Sequence, residues 1–118
     1  MPSMRILPTT MEDAAAYLEK DYELLGLAYT GYDRAMQRHA GYVLARNVLT
    51  EEWVTWSMSD WRSHDNAADR EAGICYAHGH YFTDWEEAKA DFSERFFDSL
   101  QGEWSLSPHF TMIKKAVV

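Results

Sequence analysis

Trp85, Ala88, Phe92, Phe96 and Leu100 recur at spacings of 3, 4, 4 and 4, the period of one face of an α-helix. The stretch FTDWEEAKADFSERFFDSLQG, residues 82–102, therefore predicts a long amphipathic helix. Thr83 followed by Glu86 has the form of a capping box, and Gly102 is placed to end the helix. Nearer the N-terminus, Thr10 precedes Glu12 and Asp13, which predicts a helix from about 11 to 25 with Ala14, Leu18, Tyr22 and Leu25 on its inner face. Residues 27–49 place Ala28, Tyr32, Ala35, Met36, His39, Val43 and Val48 at helical spacing. A second helix is expected there, kinked or broken near Gly31 or Gly41.

The centre of the chain has a different period. Val54, Trp56 and Met58 alternate with Thr55, Ser57 and Ser59, which predicts a half-buried strand over about 53–59. A helix starting at Thr50 is the competing assignment for residues 51–61. GICYAHGHYF, residues 73–82, predicts a second strand with Ile74, Tyr76, His78, His80 and Phe82 on one face. The polar run 62–73 joins the two, with one helical turn in it. EWSLS suggests a last short strand, and the tail TMIKKAVV an addition to the sheet. The expected fold is α+β: two N-terminal helices, a small antiparallel sheet and a long amphipathic C-terminal helix. An all-α bundle is the alternative.

Length and charge narrow this further. The 118 residues fit a single domain, 1–118. Eleven basic against nineteen acidic side chains leave a net charge of −8, which disfavours nucleic acid and anionic lipid as direct partners and favours a basic protein surface. Cys75 is the single cysteine, so no intrachain disulfide forms. Neither a signal-type apolar run nor a membrane-length one occurs, and a cytoplasmic location is the expectation. Five Trp, seven Tyr and five Phe supply more aromatic surface than a core of this size needs.

Three constellations bear on chemistry. Asp84, Glu87, Asp91, Glu94 and Asp98 follow one another at 3, 4, 3 and 4 residues, a line of carboxylates about 21 Å long on the C-terminal helix. Like charges at these spacings oppose helix formation slightly, so stability does not account for them. A row of this kind can occupy a groove evolved for phosphates, and against that stands a merely solvated helix face. Cys75, His78 and His80 are weak candidates for a metal site in a small metal-binding protein or a metal-dependent hydrolase. The two histidines share a strand face, whereas the cysteine points away, and His64, Asp65 or His109 would have to supply a further ligand. Trp53 lies opposite Val54, Trp56 and Met58 and is a candidate interface anchor. No nucleophile motif and no phosphate-cradling glycine motif is present; neither an enzyme nor a cofactor is expected.

Short length, acidic balance, one cysteine, abundant aromatics and the lack of a motif together resemble the small anti-CRISPR and anti-restriction inhibitors encoded by bacteriophages and mobile elements. The resemblance is one of class and transfers no residue's role. It implies a non-enzymatic, stoichiometric inhibitor whose acidic, aromatic-rich surface, Asp84, Glu87, Asp91, Glu94, Asp98 and Trp53, blocks a nucleic-acid-binding site on a host defence complex. A general protein-interaction adaptor is the plainer alternative.

Overall fold

The computed structural model describes the backbone of residues 7–102 and 109–112 and the side chains of residues 7–98. Strands β1 (Tyr22–Asp33), β2 (Arg38–Asn47), β3 (Trp53–Asp60), β4 (Ile74–Phe82) and β5 (His109–Met112) form one antiparallel sheet in the order β4-β3-β2-β1-β5. Among the described residues three helices accompany it: α1 (Met11–Ala16), α2 (Ala67–Ala72) and α3 (Trp85–Gly102). The α+β class holds, and the all-helical alternative does not.

The N-terminal half departs from its predicted form. Helix α1 starts as expected, with Thr10 Oγ1 accepting from the Asp13 N–H and Asp13 Oδ2 accepting from the Thr10 N–H, both at 3.1 Å, but it ends at Ala16 rather than near 25. Residues 27–49 are the β1–β2 hairpin and not a second helix. The physical reason is that Leu24 through Gly31 are buried without interruption. A strand covered on both faces has no polar alternation and so resembles a helix core in sequence. Register shifts at Leu25 and Thr30 break the two-residue period further. The hairpin turns at Asp33, whose Oδ1 accepts from the Ala35 and Met36 N–H groups at 3.0 and 3.2 Å, and Gln37 takes a positive φ of 55°. Asn47 closes the next turn in the same manner, accepting from Leu49 and Thr50.

Gly41 shows why the hairpin uses glycine there. A Cβ at this position would lie 2.5 Å from the Ala28 carbonyl oxygen, so β1 and β2 approach at the Thr30 bulge only without a side chain.

Strand β3 and its antiparallel pairing with β4 match the sequence reading, as does the helical turn between them. Thr111 and Met112 of the tail join the sheet in β5, and the expected EWSLS strand lies outside the described residues. Helix α3 begins one residue later than its capping-box pattern suggests. Asp84 is the N-cap, its Oδ2 accepting from the Glu87 N–H at 3.0 Å.

The sheet carries a hydrophobic core on each face. Helix α3 lays Ala88, Phe92 and Phe96 on Leu25, Ala28 and Leu44, flanked by Tyr42, Trp53, Phe82 and Trp85. On the opposite face Ala14 of α1 meets Leu24, Leu27, Val43, Met58 and Ile74. Phe92 is fully buried, and truncating such a side chain costs about 3–5 kcal/mol.

Candidate functional site

A bulge in β4 decides what each face of the sheet presents. Ser57 pairs with Ala77 and Thr55 with His80, so His78 and Gly79 together oppose Trp56. His78 adopts a φ of 54°, a left-handed conformation uncommon for any residue but glycine, although His, like Asn and Asp, takes it more often than most. From this point the strand's faces exchange. Ile74 and Tyr76 lie on the α1 side, whereas His80 and Phe82 turn to α3 and Tyr81 joins the α1 side. The expected single face of Ile74, Tyr76, His78, His80 and Phe82 is thereby corrected. A two-residue alternation cannot show an inserted residue.

The proposed metal ligands are scattered by the same bulge. His80 is engaged by Asp91 and Arg95, Cys75 is exposed with its thiol 3.6 Å from the Ala72 carbonyl, and His64 engages Asp69 at 3.5 Å. Among the described residues no three His, Cys, Asp or Glu side chains converge on a common point.

The carboxylate line of α3 divides by role. Asp84 caps the helix. Asp91 faces the sheet, where the Thr55 hydroxyl donates to its Oδ2 at 2.5 Å, His80 Nδ1 lies at 3.0 Å and Arg95 Nε at 3.8 Å. Glu87, Glu94 and Asp98 remain exposed. Arg95 folds over the Tyr42 ring at 5.6 Å, donates to the carbonyls of Thr55 and His78, and places Nη2 2.9 Å from His80 Nε2. Trp53 turns to the α3 side as its parity requires, but that side is covered: it packs on Trp85 with ring centroids 6.0 Å apart. It is partly buried at the flank of the α3-side core and is not a freely exposed anchor.

On the α1 side a buried ion pair ties down the N-terminal segment. Asp60, 1% exposed, accepts from Arg62 Nε and Nη2 at 2.9 and 2.8 Å and from the Thr9 hydroxyl at 2.7 Å. Burial pushes the Asp60 carboxyl up, but these bonds together hold it below its ordinary value. Arg62 also reaches Asp13 at 3.2 Å, and that hydrogen bond draws the Asp13 carboxyl down to about 2. Next to Asp60 in the ladder, His39 is buried, with Nδ1 2.7 Å from the Tyr29 hydroxyl. Burial lowers the His39 pKa and, with the Asp60 charge, pushes Tyr29 up to about 12. All these groups are satisfied by one another, and the cluster is structural.

Beside it lies an open pocket of about 400 Å³ walled by Tyr17, Tyr22, Trp56, Tyr76 and Tyr81, with Glu19 as its charged member. Trp56 meets Tyr22 edge to face at 4.9 Å and 67°, and Tyr81 at 6.5 Å and 87°. Its ring also lies 5.7 Å from Tyr76. The sequence reading recognised the aromatic surplus and the Trp53–Trp61 segment, but not this convergence. It requires the exchanged faces of β4 and a turn from α1 into β1 where a longer helix was expected.

Comparison with protein-family models, with curated proteins and with solved structures returns no match. Among the described residues no helix is long and apolar enough to cross a membrane.

Proposed function

We propose that the protein is a non-enzymatic binding protein that engages a basic protein surface through the outer flank of α3, and that it acts as a stoichiometric blocker of a site built for nucleic acid. The observation that supports this reading is the division of charge. Arg95 and Arg46 are turned inward, their side chains 13% and 11% exposed, while Glu87, Glu94 and Asp98 face outward. On this part of the helix the one cation with a surface partner is Lys89, which pairs with Glu86 at 3.0 Å. A carboxylate row to which no cation among the described residues is paired offers itself to those of another molecule.

Asp84 and Asp91 have structural duties, so the informative variant replaces Glu87, Glu94 and Asp98 with Gln, Gln and Asn. The parent protein, immobilised and exposed to a bacterial lysate, should retain a basic nucleic-acid-binding protein that elutes as salt is raised. The purified partner should then lose DNA or RNA binding in a one-to-one titration. The triple variant should fold and fail to retain it. Retention undiminished at low salt would reduce the row to a solvated face.

A further inference from the structure

We infer that the aromatic pocket on the other face of the sheet is a binding site for a methylated ammonium group. Three observations converge on that class of ligand. Trp56 meets Tyr22 at 67° and Tyr81 at 87°, and the rings border an open pocket instead of a sealed core. Walls set at such angles can turn π-faces toward one occupant, and those faces attract a cation. The charged residue in the lining is an acid, Glu19, in a protein of net charge −8. Lys20 follows it but does not line the pocket. Finally, Tyr81 is 58% exposed, an arrangement that core packing does not require.

The backbone spends strain to make this corner. The left-handed His78 and the extra residue at Gly79 bring Tyr81 to the Trp56 side. A Cβ on Gly79 would lie 2.8 Å from Trp56 Nε1 and 2.9 Å from the Tyr81 ring; a bare backbone here lets both rings stand where they are. Strained backbone of this sort persists where the surroundings hold it, often at ligand sites. The site lies across the sheet from α3 and does not depend on the reading given for that helix.

A methylated ammonium group matches the corner better than a bare one, because its methyls bury against the rings and its diffuse charge is weakly hydrated. Two sources share this chemistry: a free choline-like molecule and a trimethyllysine side chain on another protein.

The test is a titration of the full chain followed by the Trp56 indole N–H resonance. Choline and tetramethylammonium should shift and saturate it. The neutral isostere 3,3-dimethylbutan-1-ol should bind at least about tenfold more weakly, as loss of a desolvated cation–π contact implies. A trimethyllysine peptide and choline, compared directly, assign the source by the tighter binder. Tyr81→Ala should weaken binding about tenfold, Glu19→Gln about threefold with a reduced salt dependence. Gly79→Ala should also weaken it, because the added methyl meets Trp56 Nε1 at 2.8 Å and the Tyr81 ring at 2.9 Å and must displace both. Circular dichroism confirms that each variant is folded, and Tyr81, being exposed, carries the test if Trp56→Leu does not fold. Equal affinity for the isostere, or no saturation by either cation, overturns the inference.

Discussion

Arg95 Nη2 and His80 Nε2 are 2.9 Å apart, and the contact fixes a proton. A guanidinium has only hydrogens to offer, so His80 Nε2 accepts and the imidazole proton sits on Nδ1, donating to Asp91 at 3.0 Å. Nitrogen-15 NMR of the His80 ring should show the Nδ1–H tautomer in the neutral form. An Nε2–H assignment would mean that the contact is not a hydrogen bond. Arg95→Ala removes this acceptor's partner, two carbonyl bonds and the Tyr42 contact together. It should lower the unfolding free energy by about 1–3 kcal/mol in urea titrations.

The Asp60–Arg62 pair is predicted to be far more sensitive to loss of one member than to its chemistry as such. Arg62→Leu leaves a buried carboxylate with only Thr9 of its side-chain donors, at a cost of about 3–5 kcal/mol. Asp60→Asn combined with Arg62→Leu should recover part of that loss. A double variant no more stable than the single one would argue that the guanidinium matters through packing and through Asp13 instead.

Acid should unfold the protein in two stages, and the signs of the shifts say why. His39 has a folded pKa below 6.5, so the unfolded chain takes up its proton first, and stability falls as pH drops below about 6.5. Asp13 is held at about 2 against an ordinary 3.8, and its contribution is present above about 4 and disappears as pH falls toward 2; Asp60, also held below its ordinary value, contributes in the same direction. His39→Gln should flatten the first stage and leave the second. Urea midpoints at pH 7, 5 and 3 distinguish the stages; an unchanged loss between pH 7 and 5 in the variant would place the first one elsewhere.

Gly41→Ala should destabilise the hairpin by about 1–3 kcal/mol, because the added methyl meets the Ala28 carbonyl at 2.5 Å and not a movable side chain. The same substitution in an exposed helix would be stabilising, since alanine is the better helix former. Thermal melting of this single variant therefore distinguishes the two secondary structures proposed for residues 27–49.

That contrast shows where the sequence was legible. Helix α3 was readable because only one of its faces is buried, so Ala88, Phe92 and Phe96 stand out from the acids between them. Strand β3 was readable for another reason: Val54, Trp56 and Met58 alternate with the hydroxyl residues Thr55, Ser57 and Ser59, even though Thr55 is buried under α3. Residues 24–31 were not, since a layer on each side buries every position, leaving Thr30 as the one hydroxyl-bearing aliphatic among apolar residues, glycines and Tyr29, and two bulges remove the remaining rhythm. The Gly, Thr and Tyr content of LAYTGY and the Asp33 turn were the available signals for a hairpin. The acidic line was visible in full, but its partition was not. Asp91 differs from Glu87 only by facing Thr55 and His80, a fact of tertiary packing. The aromatic pocket depends on a bulge that only the partner strand reveals.

The β4 bulge has a consequence for the company this protein keeps. β4 is an outer strand of the sheet, the position from which an unpaired row of N–H and C=O groups recruits strands from other molecules and seeds aggregates. Here that row is interrupted halfway along by the left-handed turn at His78, and the carbonyl exposed by it is already taken by Arg95. What remains is two short runs, on either side of His78 and Gly79, out of step with each other. Both are short and out of step, which works against pairing with a long, regular incoming strand, so the edge guards against fibril growth with its own irregularity.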